Sequence, residues 1–203
     1  MKVQFADTFF ESLERMVNRQ RWYWKTWDFL KYDLSKGIKN LIFFFPVVWK
    51  YRSWDYNFQM KMLKRSLEPL AKSLRNGNEV EITRMKKVEK IERAIEILHN
   101  QSEDLYIDIA AERLGYMVDT SYGIFGDKPE NEEPTEIKEA NRKLFRLSHE
   151  IEEQEWNELW EIFKGRPGSH YQMFRDKIKA QGGDDKDSWD RWFDGTGMNR
   201  WWD

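Results

Sequence analysis

The chain contains no cysteine. Disulfides, thiolate nucleophiles and cysteine-ligated metals are therefore excluded. Histidine is scarce: His99, His149 and His170 lie far apart, without ligand spacing. His149 with Glu150 and Glu153 reads as a solvated helix face rather than a metal corner. Long apolar runs are missing too. The longest, Leu41–Trp49, has nine residues, too few to span a bilayer. The stretch Met1–Asp7 has no apolar core of the kind a signal peptide carries. There is no glycine-rich phosphate loop, no nucleophile elbow and no His-Glu-x-x-His. Asp184, Asp185 and Asp187 lack the ligand pattern and closing glutamate of a calcium loop. These absences lead to the expectation of a non-enzymatic protein with no cofactor, no metal and no membrane span.

What the chain has in quantity is aromatic and charged side chains. Aromatics make up 16% of its 203 residues, eleven of them tryptophan, and charged residues 34%. A single core of this size does not need so much indole, so some rings are expected to meet a partner or a ligand. The net charge of −2 hides an asymmetry. Residues 1–75 hold 15 Lys and Arg against 7 Asp and Glu; residues 76–203 hold 19 against 29. A basic, aromatic front and an acidic back can attract each other within one fold or between subunits, and the front can attract an anion. Self-association into at least a dimer is the expectation.

Apolar spacing predicts an all-α helical bundle. The chain divides into an aromatic basic arm (1–40), a bundle core (41–164) and a Trp-rich extension (165–203). The arm is expected to be a helix from Asp7 or Thr8 to about Leu34, broken at Lys36-Gly37. Trp22, Tyr23, Trp24 and Trp27 crowd about a turn and a half of it; the arm reads first as an amphipathic helix that docks on the core, with a membrane-surface helix, whose basic residues interleave with tryptophan, and a partner- or ligand-binding segment as the alternatives. Leu41–Trp49 is expected to carry the chain into a packed interior, with Pro46 stopping any helix. Beyond it, Tyr56, Met60, Leu63, Leu67, Leu70 and Leu74 recur in steps of three and four, one stripe of a helix that Asp55 can cap. Pro69 should kink it, and Asn76-Gly77-Asn78 ends it. A second helix, Glu79 to His99, places Met85, Val88, Ile91, Ile95 and Leu98 inward. Together they form an antiparallel hairpin over about 55–98. A short helix from Ser102 to Leu114 points Leu105, Ile109 and Leu114 inward and stops at Gly115. Residues 119–134 read as a loop. Thr135 is expected to cap a long helix to about Lys164. Its stripe Ile137, Ala140, Leu144, Leu147 and Ile151 slips near Glu155, then resumes at Trp156, Leu159 and Phe163. One contiguous core should join Leu63, Leu67, Leu70, Val88, Ile95, Leu144 and Leu147. A last helical piece spans Tyr171 to Ala180, and Ser188–Phe193 is too aromatic for a loose terminus.

The octad Trp49-Lys50-Tyr51-Arg52-Ser53-Trp54-Asp55-Tyr56, the leucine-rich helix after it, a turn and a second charged helix, together with the final Trp201-Trp202-Asp203, resemble a family of small, mostly uncharacterised proteins of tailed bacteriophages. The resemblance covers about residues 41–116 and the last few positions. It implies a viral origin, an all-helical core and action in the bacterial cytoplasm, and it carries over no activity. The aromatic arm and the segment near 150–195 depart from the family pattern.

Trp49, Lys50, Arg52, Trp54, Tyr56 and Arg65 have the chemistry of a nucleotide or single-strand site: rings that stack on bases, cations that meet phosphate. The same rings could instead plug the entry to the hairpin. Three functional readings stay open. One is a non-enzymatic binder that sequesters a nucleotide or other small anionic host signal. The second is an interaction or structural module that binds a host or phage protein through exposed tryptophans. The third, weaker because the pI is near 6.0, is a binder of single-stranded nucleic acid.

Overall fold

A computed structural model describes residues 26–52, 56–77, 80–117, 121 and 134–201, the Asp187 side chain excepted. The expected helix start at Asp7 or Thr8, Trp22 to Trp24, Trp54, Asp55, most of the 119–134 loop and Trp202-Asp203 lie outside the described residues. Seven α-helices and no strand occur among the described residues: α1 Ser35–Val48, α2 Asn57–Arg75, α3 Glu81–Glu103, α4 Tyr106–Leu114, α5 Thr135–Lys164, α6 Gly168–Ala180 and α7 Asp185–Trp192. The all-α expectation, with its helical hairpin and long helix, holds.

The chain divides into two compact units, Met1–Phe58 and Gln59–Asp203. Residues 165–203 belong to the same unit as the bundle, and the division falls at the start of α2.

In the first unit, helical backbone is continuous over residues 26–48. A wide π-type stretch, Phe29–Leu34, leads into α1. Two expected breaks are therefore absent. Lys36 and Gly37 lie inside α1, and a Cβ on Gly37 would meet nothing, so that glycine only lowers local propensity. Pro46 lies in the last turn of α1. Its missing N–H frees the Ile42 carbonyl, and Ile42 is 68% exposed, so water can take that acceptor. Nor does Leu41–Trp49 enter a packed interior: α1 has no buried residue. A run apolar on every face carries no signal of which face is covered.

In the second unit, α2 and α3 form the hairpin. Ion pairs Arg75–Glu92 and Lys61–Glu103 at 3.1 Å fix the two helices antiparallel. Leu67, Leu70, Ala71 and Leu74 of α2 meet Val88, Ile91, Ala94, Ile97 and Leu98 of α3, Leu159 and Ile162 of α5, and Trp201 in one core. Met60, Leu63, Ile95 and Phe163 pack against it half-buried. A second core joins Tyr106, Ala110 and Ala111 of α4 to Leu144 and Ile151 of α5, with Leu147 alongside. The single contiguous core expected is thus two, strung along α5, and the change of partner falls near the phase slip at Glu155. Pairs within a stripe also shift: Tyr56, Met85, Leu114 and Trp156 are exposed, while Ile97, Tyr106 and Ile162 are buried.

Helix ends follow local chemistry. α3 runs on past His99 to Glu103 and stops at Asp104, which adopts a left-handed φ of 54°; an aspartate tolerates this better than most residues. α4 therefore begins at Tyr106, not Ser102. Gly115, at φ 65°, ends it as expected. Thr135 does not cap α5 but is its first residue; Pro134 precedes it without a side-chain cap bond. The extended φ and ψ of Pro134 suit the position just before a helix, where its lack of an N–H costs nothing.

Candidate functional site

The side chains singled out in the sequence fall in several environments. Trp49, Lys50, Arg52 and Tyr56 are exposed, in the first unit. Trp49 is 73% exposed, so it does not plug a core. Its indole lies 5.3 Å from the Phe45 ring one turn back. The backbone tightens at this end of α1, with Lys50 N–H donating to the Val47 carbonyl at 3.2 Å and Tyr51 N–H to the Val48 carbonyl at 3.1 Å. Such three-residue turns are usual where a helix runs out. The Arg52 guanidinium donates to the Tyr51 carbonyl at 3.0 Å, and the Tyr51 ring meets Phe58 edge-on at 4.5 Å. Arg65 sits in α2, where it pairs with Glu68 at 3.2 Å. Trp201 is the most deeply buried aromatic of the second unit's main core, its indole N–H donating to the Gly195 carbonyl at 2.8 Å.

Spacing gives α1 its character. Leu34, Ile38, Leu41, Phe45 and Val48 follow each other at steps of four, three, four and three, with Ile42 and Trp49 beside them. All seven are exposed. On a helix these positions make one stripe about a third of the circumference wide. Lys36, Lys39 and Lys50 project from the opposite side and are exposed as well. From Leu34 to Arg52 the chain has four cations and no acid. Sequence reasoning missed this stripe, because the run Leu41–Trp49 is apolar on every face and Pro46 reads as a helix stop.

The charged side chains of the bundle are arranged differently. Arg93 on α3 donates to both oxygens of Glu158 at 2.8–3.1 Å and to Glu155 at 3.0 Å, and pairs with Glu96 at 3.0 Å. Glu155, buried at the phase slip of α5, also accepts from Asn100 at 3.1 Å. Gln101 donates to Glu152 and accepts from the Tyr106 hydroxyl. Hydrogen bonding to Glu158 drives the Arg93 guanidinium further up against the opposing effect of burial. Burial, then the Glu155 charge, pushes the Tyr106 hydroxyl up. An open depression of about 660 Å³ lies alongside, lined by Met85, Val88, Glu89, Lys90, Glu92, Arg93, Glu96 and Glu158. It has no ring to stack a ligand on, and its arginine is already committed to three carboxylates. The cluster is a clasp between α3 and α5. No group of three His, Asp or Glu side chains placed to hold a metal occurs among the described residues.

The C-terminal segment forms a second clasp. Lys86 donates to the Asp190 and Phe193 carbonyls at 2.7 and 2.8 Å. Arg166 pairs with Asp194 at 2.8 Å and donates to the Trp192 carbonyl. The Arg200 guanidinium lies 5.1 Å over the Trp192 ring. Gly195, at φ 89°, passes so close to the Lys86 carbonyl that any Cβ would collide with it. Burial raises the Asp194 carboxyl, but bonds from the Thr196 hydroxyl and N–H, with the Arg166 charge, outweigh it and hold the group below its ordinary value. The Asp194-Gly195-Thr196-Gly197 run was the available signal for this turn.

Comparison with protein-family models, characterised proteins and solved structures finds no match.

Proposed function

We propose that the protein is a non-enzymatic interaction protein: a clasped helical body joined to a unit whose working surface is the exposed stripe of α1. One observation carries this reading. Seven large apolar side chains, Leu34 to Trp49, lie exposed on one face of one helix. A contiguous apolar face of this kind marks a contact surface, whereas apolar residues scattered singly over a surface do not. The charged groups of the two clasps pair with one another and with backbone carbonyls, which supports a structural role for them.

Hydroxyl-radical footprinting of the full chain tests it. Oxidation of Phe45, Trp49 and Tyr51 is expected to fall when the purified protein is mixed with an extract of the cells that produce it. Oxidation of Trp160, 63% exposed on α5, serves as the control and should not change. Equal labelling of α1 in buffer and in extract would remove the reading.

The exposed rings of Trp49 and Tyr56 with the exposed cations Lys50 and Arg52 support a second reading, capture of a nucleotide or other small anion. Neither cation pairs with a carboxylate among the described residues. Calorimetric titration with adenine and guanine nucleotides checks it. Lys50→Gln with Arg52→Gln should weaken binding by at least about tenfold per residue, roughly a hundredfold together, since charge-assisted bonds contribute roughly 1.5–3 kcal/mol each.

A further inference from the structure

We infer that the occupant of the α1 stripe is an anionic lipid surface, on which the helix lies flat; this rests on the reading of α1 as a contact element. Three features select a bilayer over a second copy or another helix.

The first is the breadth of the apolar face. In a paired helix the positions flanking the stripe carry the charges that choose a partner. Here those positions are Ser35, Gly37, Ile42, Phe44, Trp49 and Tyr51, none of them charged. The rim of the stripe is uncharged and carries three rings and an isoleucine. That suits immersion in acyl chains and leaves nothing to specify a protein register.

The second is charge. Lys36, Lys39, Lys50 and Arg52 are exposed and bracket the stripe with no acid between Leu34 and Arg52. An anionic headgroup layer is complementary to this charge, each basic residue near such a surface adding attraction. The lysines lie across the helix from the stripe, where their stems can reach back to the headgroups.

The third is the placement of rings. Phe45 and Trp49 pair at 5.3 Å on the exposed side, and Tyr51, two residues further on and past the end of α1, sets its ring against Phe58. Trp and Tyr favour the depth where acyl chains give way to headgroups. No helix among the described residues is long and apolar enough to cross a membrane. A helix with an exposed apolar stripe and exposed lysines on its other side, beside the half-buried Phe43 and Val47, can lie in the interface instead.

The test is flotation of the full chain with vesicles of phosphatidylcholine alone or mixed equally with phosphatidylglycerol, beside sedimentation without lipid. The wild type is expected to float with the anionic vesicles and not with the neutral ones. Leu41→Asp with Ile42→Asp should remain at the bottom of the gradient. Both positions are largely exposed, so the melting temperature of this variant should match the wild type and separate lost binding from lost folding. Lys50→Gln with Arg52→Gln should lower partitioning onto the anionic vesicles by roughly 30-fold. Wild-type protein that ignores anionic vesicles would overturn the inference. So would equal flotation on neutral ones, or a double-Asp variant that still floats. A dimer that the double-Asp change dissociates, with no vesicle binding, would assign the stripe to a second copy. Protection of Trp49 by a membrane-free extract, with no flotation, would overturn the lipid assignment and leave α1 as a protein contact.

Discussion

Trp201 illustrates how much a terminal residue can hold. Its ring fills the main core, edge-to-face with Phe163 at 5.9 Å, and its N–H is bonded to the Gly195 carbonyl. Trp201→Ala should cost about 3–5 kcal/mol, the loss of a large buried ring plus the cavity it leaves. Urea unfolding with an unchanged midpoint would contradict that placement. Asp194 makes a separate forecast. Its carboxyl is held below the ordinary value in the folded state, so the unfolded chain binds the proton more readily. The stability it supplies is full above the unfolded carboxylate range, near pH 4, and is lost as pH falls through the lower folded value. Asp194→Asn should therefore be less stable than wild type at pH 7, and the gap should narrow on acidification below about pH 4. Melting curves across that range check the sign; a gap that is constant with pH would refute it.

Among the elements, α3 and α5 are joined through one arginine. Arg93 reaches Glu155, Glu158 and Glu96, and Glu155 is buried. Arg93→Ala leaves a buried carboxylate with Asn100 as its remaining side-chain donor. Breaking such a pair typically costs about 3–5 kcal/mol, most of it the uncompensated charge. Adding Glu155→Gln should then recover part of the loss, because a neutral amide needs no counter-charge. A double-mutant cycle by chemical denaturation measures this. Strict additivity would mean the two side chains do not interact. The spacing along α5 marked a slip near Glu155. It did not mark Glu155 as buried, because burial of a carboxylate depends on a cation from a helix about sixty positions away.

At the scale of the whole molecule, both cores and both clasps lie within residues 59–203. A fragment of residues 56–203 should therefore keep a cooperative thermal transition close to that of the full chain. A fragment that melts without cooperativity would mean the first unit contributes to the core.

Helix type, the hairpin, the length of α5 and the stop at Gly115 were all determined by the sequence itself. They depend on three-and-four spacing, turn residues and glycine geometry, which are properties of neighbours along the chain. Which apolar stripes are covered was decided only by tertiary structure. Leu67, Leu70 and Leu74 repeat at the same spacing as Leu41, Phe45 and Val48, yet the first set is buried and the second exposed. Burial requires a partner surface, and the partners of α2, which are α3, α5 and Trp201, come from distant parts of the chain. The same holds for the octad. Its residue types announce stacking and anion chemistry, but the exposure of Trp49 follows from how the first unit packs. A periodicity states that a helix has an apolar side; only the folded chain states what that side meets.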